Sequence, residues 1–95
     1  VRREKNLAMR TVLKRGVKLT PSESSEWLRA RMEQLKISGL EELHLKTGID
    51  KGSISRYFRQ ERTPKIDVIA PLAQALEVSP ETLLIALGAI DKKRS

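Results

Sequence analysis

The sequence contains no cysteine, a single histidine and only 3% aromatic residues, and its apolar runs are short. Without cysteine the chain has neither a disulfide framework nor a thiolate metal site. A membrane-spanning helix needs about 20 consecutive apolar residues, and no stretch approaches that length. The same shortness argues against a signal-peptide core. We therefore expect a cytosolic protein that has no membrane partner.

Acidic residues are the other scarce group, since 19 Lys and Arg stand against 12 Asp and Glu and leave a net charge of +7. Residues 1–20 hold seven cations and one acid, and residues 49–65 hold five cations and two acids. Residues 66–90 hold three acids and no cation. Net charge alone does not choose between nucleic acid, an anionic membrane surface and solubility. With 39% apolar residues in 95, we expect one folded basic domain with little room for a catalytic apparatus.

Capping residues, prolines and glycines divide the chain beyond residue 20 into five helical segments without a strand signal. Thr20 and Ser79 each stand before a proline, which is typical of a helix start, and Asp50 is a good N-cap. Thr63 before Pro64 predicts a further start in the same way. Gly48 can take the left-handed conformation that ends a helix. The predicted helices cover 21–36, 40–47, 51–59, a segment from 64 onward and a segment from 80 onward.

Apolar residues recur at helical spacing in these segments, so each helix has one face that can enter a core. The core positions predicted in this way are Leu28, Met32, Leu35, Leu40, Leu43, Ile54, Tyr57, Phe58, Ile66, Ile69, Leu72, Ala73, Leu76, Leu83, Leu84 and Leu87. The few aromatic residues lie at or beside these positions, which favours core packing over stacking on unpaired bases. Residues 1–19 stay open between a basic arm with partial helix and a hairpin over 12–19.

Residues 40–57, LEELHLKTGIDKGSISRY, resemble the helix-turn-helix of lambda-repressor-like regulators, the Cro/C1-type or XRE family. The matching core positions are Leu43, Gly48, Ile49, Ile54 and Tyr57. Residues 66–80 are similar to the family's fourth helix and the turn after it, so that the resemblance spans 21–88. It implies an all-α, five-helix lambda-repressor-like domain over 21–90. The motif lies at about 39–59, between a basic N-terminal arm at 1–20 and a basic tail at 91–95.

Two positions depart from the family's pattern. Leu40 stands where the family often has a glutamine that binds a phosphate, and only its backbone N–H remains for that contact. His44 stands where a small residue usually lets the two helices cross closely. We expect the His44 ring to tilt outward, and the crossing angle of the helices depends on it.

The resemblance implies that the helix over 51–59 enters the major groove of double-stranded DNA. The residues expected to face base edges are Lys51, Gly52, Ser53, Ser55 and Arg56. Arg56 is the first choice for sequence readout, because a guanidinium can bond guanine O6 and N7 together. The residues expected to contact phosphates are Leu40, Arg59, Arg62 and Lys65.

The predicted function is that of a sequence-specific transcriptional regulator, a repressor in the first instance, acting as a homodimer in a bacterium or phage. Dimer contacts are expected around Val78, Leu84, Ile85 and Ile90. The alternative is a protein-interaction module, such as an antitoxin that binds a toxin or an accessory protein of a mobile element, with DNA binding secondary. A third hypothesis is nonspecific condensation of nucleic acid by residues 1–20.

Catalysis, metal binding and cofactor binding have weaker support. Ser53, Ser55 and His44 offer a nucleophile and a base, but no acid is placed to orient the histidine. The pair Glu41-Glu42 fits the first turn of a helix, where the dipole favours acids. We therefore expect no enzyme activity, no metal, no cofactor and no small-molecule ligand.

Overall fold

The computed structural model describes residues 17–91, and within this range the chain forms five helices and no strand. The helices are α1 (Pro21–Gln34), α2 (Leu40–Thr47), α3 (Lys51–Phe58), α4 (Ile66–Ala75) and α5 (Pro80–Ala86). This confirms the all-α, five-helix architecture. Residues 17–20 belong to no helix or strand, and the rest of the predicted arm or hairpin, like residues 92–95 of the tail, lies outside the described residues.

Three helix starts form at the predicted capping residues. The Thr20 hydroxyl accepts a hydrogen bond from the Glu23 N–H, and the Glu23 carboxylate accepts one from the Thr20 N–H, which completes a capping box on α1. The Asp50 carboxylate accepts from the Ser53 N–H at the start of α3. The Ser79 hydroxyl accepts from the Thr82 N–H at the start of α5. The side chains thus satisfy backbone donors that a helix start leaves without partners.

The start of α4 differs from the prediction. This helix begins at Ile66 with Lys65 as its N-cap, two residues beyond Pro64, and no described side chain caps it. Ile66, predicted in the core, is 89% exposed. Val68 and Ile69, both half-buried, are the first residues of α4 that pack against the core.

Four of the five described helices end in the same backbone motif, in which one residue turns left-handed and two N–H groups bond back to the last turn. After α1 these bonds run from Lys36 N–H to Glu33 O and from Ile37 N–H to Met32 O. Among these four motifs, only the one after α5 has a glycine as its left-handed residue, namely Gly88. The others are Lys36, Gln60 and Glu77, with φ of 59°, 60° and 57°. The helix predicted to reach residue 36 therefore ends at Gln34.

The core lies between the helices, and every helix contributes to it. The largest fully buried side chains are Leu43, Ile54, Phe58, Leu72, Leu76 and Leu83. The ring of Trp27 stacks on that of Phe58 with centroids 6.2 Å apart and planes 5° from parallel. This confirms the core role predicted for the aromatic residues. Because α3 contacts both α1 and α2, its inner face is fixed from two sides.

Two polar clusters join the helix ends. We call the first the Gln60 junction (Leu19, Ser24, Gln60 and Gly88), in which the Gln60 amide donates to Leu19 O at 2.8 Å and to the buried Ser24 hydroxyl at 2.9 Å. In the second, the Arg31 guanidinium donates to Leu76 O and to Glu77 O at the end of α4, at 2.9 and 3.0 Å. A cation is favoured there by the helix dipole. The contact therefore anchors α1 to the end of α4.

No single helix among residues 17–91 is long and apolar enough to cross a membrane. Taken together, α4 and α5 are apolar enough, but the chain bends by 100° between them. Their apolar residues Leu72, Leu76 and Leu83 are fully buried in the core.

Candidate nucleic-acid interface

The turn between α2 and α3 consists of residues 48–50 and is held by hydrogen bonds from both sides. Gly48 is left-handed at φ 76°, and its N–H donates to His44 O at 2.7 Å. The Thr47 hydroxyl donates to Leu43 O and accepts from the Ile49 N–H. These contacts fix the direction in which α3 leaves the turn.

His44 does not tilt outward as expected. Its Nδ1 lies 2.8 Å from the carbonyl oxygen of Ile49, and its side chain is half-buried. Because a carbonyl can only accept, Nδ1 carries the proton in this contact. The half-buried histidine thus bonds α2 to the turn and braces it.

Four of the five residues predicted to contact bases lie on the outer face of α3, turned away from the buried Ile54, Tyr57 and Phe58. Gly52 and Arg56 lie opposite the buried residues, and Ser53 and Ser55 lie at the sides. Lys51 lies one turn before Ile54, at the exposed start of the helix. Gly52 is half-buried, and a Cβ there would lie 3.0 Å from the Asp50 carboxylate and 3.7 Å from the Arg56 guanidinium. A side chain at 52 would therefore crowd the Asp50 carboxylate that caps α3 and make ordinary contact with Arg56.

The cations on and beside this face differ in their internal partners. Lys51 pairs with Glu41 of α2 at 2.9 Å. Arg59 pairs with Glu61 at 3.1 Å and also donates to the Ser55 hydroxyl. Arg62 donates to the Ser53 hydroxyl at 3.2 Å. The Arg56 side chain, by contrast, is exposed and makes no hydrogen bond or ion pair with any residue in the range 17–91.

The ion pairs shift the pKa values of their members. The hydrogen bond from Lys51 and its positive charge lower the pKa of Glu41, and the same contact raises the pKa of Lys51. The hydrogen bond from Arg59 lowers the pKa of Glu61, with a smaller contribution from the charge of Arg56. At neutral pH this surface therefore carries ionised pairs whose members are all exposed to solvent.

The predicted phosphate-contacting residues fall into two places. Leu40 begins α2 behind Gly39, which offers no side chain to cap the helix, so no side chain at the N-cap satisfies the first N–H groups of α2. Arg62 and Lys65 lie in the exposed connection between α3 and α4. Arg59, the C-cap of α3, also borders a groove of about 230 Å³ that Leu40 and Ser55 line.

Sequence analysis missed two residues near this face. Arg29 of α1 borders the same groove, and it pairs with Glu26 one helical turn earlier. Ser25, also on the groove, donates to Phe58 O at 3.1 Å and so ties α1 to the end of α3. Both occur in the polar face of α1, whose sequence gives no sign of which neighbouring helix it will meet.

The arrangement offers no support for the nucleophile and base considered from the sequence. The hydroxyls of Ser53 and Ser55 accept hydrogen bonds from arginines, and His44 binds a backbone carbonyl. Within residues 17–91 no group of three His, Asp or Glu side chains is placed to hold a metal ion.

Comparison with known protein families identifies the class to which this fold and this face belong. A family model described as helix-turn-helix, the Cro/C1-type or XRE family, matches residues 28–83. The match covers more than half of the chain and contains α2, the turn and α3, so the chain belongs to this family. It is a DNA-binding helix-turn-helix regulator, of a family that is generally non-enzymatic. Comparisons with curated proteins and with solved structures gave no significant match.

Proposed function

We propose that the protein is a sequence-specific transcriptional repressor that inserts α3 into the major groove of its operator. The groove is wide enough to admit one helix, and α3 has one fully apolar face and one polar face without a large apolar side chain. In this arrangement Lys51, Gly52, Ser53, Ser55 and Arg56 approach base edges.

The observation that carries the proposal is the state of Arg56. Its side chain is exposed on the outer face and makes no hydrogen bond or ion pair with a described residue, although its charge also acts on Glu61. A guanidinium that is not already paired can bond guanine without first breaking an internal contact. Arg56 can therefore bind a base without the free-energy cost of first breaking an internal contact of its side chain.

Phosphates are proposed to lie against the two ends of the motif. The uncapped N–H groups at the start of α2, together with the helix dipole, suit one phosphate. Arg59, Arg62 and Lys65 suit the backbone beyond the end of α3. Arg59 and Arg62 would exchange their exposed contacts with Glu61 and Ser53 for phosphate oxygens, and a guanidinium binds phosphate with two parallel hydrogen bonds.

A homodimer on a twofold operator is the proposed form, because one motif reads few base pairs. Leu84 and Ile85 are half-buried and Ile90 is 36% exposed, and they are the apolar residues of the α5 region that remain for a partner. Val78, predicted with them, packs against the core instead. Repression is the simplest consequence, since a dimer bound across a promoter occupies the surface that a polymerase needs.

The proposal is tested by selecting bound duplexes from a random library and measuring affinity for the winner and for a scrambled duplex at one salt concentration. Arg56→Ala should lose discrimination at one base pair per half-site, a change of about 1–3 kcal/mol. Lys46→Ala removes the same charge from the exposed end of α2, beside α4, and serves as the control. It should lower both affinities equally or leave them unchanged.

Selection that yields no consensus would overturn the proposal and favour the interaction module, in which DNA binding is secondary. Binding of every duplex with equal affinity, unaffected by Arg56→Ala, would instead favour nonspecific condensation through residues 1–20. A consensus without twofold symmetry would contradict the dimer alone.

A further inference from the structure

The Lys51–Glu41 pair joins the first turns of two different helices on the face proposed to meet DNA. The Lys51 ammonium lies 2.9 Å from a Glu41 carboxylate oxygen, although ten residues separate the two along the chain. Both side chains stay exposed, at 59% and 62%. The contact therefore bridges the turn on its outer side, whereas His44 braces it from within.

The stability of the fold does not account for this pair. An exposed ion pair contributes little, because water and salt screen it and two flexible side chains must be ordered. A lysine as the first residue of a helix also opposes the helix dipole, which favours acids there. Glu41 alone fits its own helix start, but that fit does not require a lysine opposite.

Affinity for DNA does not account for the pair either. A carboxylate on a surface that approaches a polyanion is repelled by the phosphates. It also neutralises a cation that would otherwise release counterions from the duplex. What the pair does supply is a fixed position for Lys51, whose four-carbon stem otherwise samples many rotamers.

We propose that Glu41 is a positioning residue for sequence readout, which holds the Lys51 ammonium over the start of α3 and directs it to a base edge instead of a phosphate. The ammonium has three donors, and Glu41 occupies one. The remaining two can reach acceptors such as guanine O6 and N7. This inference rests on the proposed function, since it requires that α3 enter the major groove.

The proposal predicts that replacing Glu41 changes two affinities by different factors. In Glu41→Gln the lysine is released and the repulsion of phosphates disappears. Binding to a scrambled duplex should strengthen by about threefold to tenfold, with a salt dependence steeper by about one phosphate contact. The preference for the selected operator over the scrambled duplex should fall by at least about fivefold.

The experiment measures both affinities for the whole chain between about 50 and 200 mM salt, with Glu41→Gln, Lys51→Met and the double variant. Glu33→Gln, which removes one exposed acid from α1, controls for net charge. In the Lys51→Met background, Glu41→Gln should change the operator preference no more than Glu33→Gln does. A variant that only destabilised the fold would bind both duplexes more weakly, and the salt dependence of its binding would not become steeper.

The inference is overturned if Glu41→Gln shifts both affinities by the same factor, as a simple change of net charge would. It is also overturned if Glu41→Gln alters the preference equally with and without Lys51. If the unchanged protein prefers no duplex, the proposed function fails and this inference fails with it. If the unchanged protein prefers its operator and Glu41→Gln keeps that preference, only this inference fails.

Discussion

The outer face of α3 and the Gln60 junction are both polar, but their contacts are of different kinds. On the outer face, charged side chains meet other charged side chains or hydroxyls, and both partners stay exposed. At the junction, one uncharged amide donates to a backbone carbonyl and to a buried hydroxyl. The contacts of Arg31 with Leu76 O and Glu77 O resemble the junction in using backbone acceptors.

This difference separates the parts of the molecule that can change partners from those that cannot. A lysine or arginine released from an exposed pair is received by water or by phosphate, so that the exchange costs little. The buried Ser24 hydroxyl has no such replacement if it loses its donor, and leaving it unsatisfied is costly. The helix ends are thus held by the Gln60 junction and by Arg31, while the outer face keeps contacts such as Arg59–Glu61 and Arg62–Ser53 that phosphates can replace.

The largest loss of stability is expected from Gly88→Ala. An added Cβ would lie 2.1 Å from the Gln60 amide nitrogen and 3.0 Å from Leu19 O, at a residue with φ of 77°. Left-handed strain costs about 1–2 kcal/mol, and displacing the Gln60 hydrogen bonds adds about 1–2 kcal/mol. Urea unfolding should therefore show a loss of about 2–4 kcal/mol.

Gly48→Ala is the matched control for this prediction. Gly48 has nearly the same φ, 76°, and a Cβ there would meet nothing within 4 Å. It should show the left-handed strain alone. Equal losses in the two variants would contradict the idea that the junction holds Gly88 in close contact, because only the backbone conformation would then matter.

The sequence predicted the helix starts better than the helix ends, and the physical reason lies in how each is specified. Thr20, Asp50 and Ser79 cap their helices through side chains of their own, so that local residue type is sufficient. Lys36, Gln60 and Glu77 take left-handed conformations that their residue types do not signal. Those ends are held by packing and by distant partners, which a local pattern does not reveal.

The candidate site shows the same limit. Periodicity and resemblance predicted which residues lie on the outer face of α3, because one buried face determines the other. They did not predict that Lys51 meets Glu41, that Arg31 reaches the end of α4, or that Arg29 borders the groove at Leu40. Each of these contacts depends on how two helices cross, and crossing angles are set by packing of the whole core.

Two residues with a left-handed backbone, Glu77 and Gln60, differ in their contacts, so replacing each by glycine separates the backbone strain from the contacts of the Gln60 junction. Glu77 and Gln60 have φ of 57° and 60°, so glycine relieves similar strain at both. Glu77→Gly should stabilise the fold by about 0.5–1 kcal/mol, since only the Glu77 backbone carbonyl accepts from Arg31. Gln60→Gly also removes both amide hydrogen bonds and should destabilise it by about 0.5–1.5 kcal/mol in net.

Thermal or urea unfolding of both variants checks the difference in sign. Glu77→Gln, which keeps the side-chain size and removes the charge, separates the charge from the backbone effect. If Gln60→Gly stabilised the fold as much as Glu77→Gly does, the hydrogen bonds of the Gln60 amide would contribute nothing to its stability.

The smallest effect is expected from titrating the exposed pairs. Hydrogen bonds from Lys51, from the Ser38 backbone and from Arg59 lower the pKa values of Glu41, Glu42 and Glu61 below the ordinary 4.5. A carboxyl with a lowered pKa stabilises the fold above its unfolded value, and this contribution is lost as pH falls through the folded value. The free energy of unfolding should therefore decline as pH drops below about 4.5.

Variants separate the contribution of these pairs from that of the helix-end contacts. In Glu41→Gln with Glu61→Gln the decline below pH 4.5 should be shallower than in the unchanged protein. In Arg31→Met the loss of stability should be nearly the same at neutral and acidic pH, because Arg31 donates mainly to backbone carbonyls, which do not titrate. A loss in Arg31→Met that vanished at acidic pH would place that contact with the exposed ion pairs and remove the distinction between the two regions.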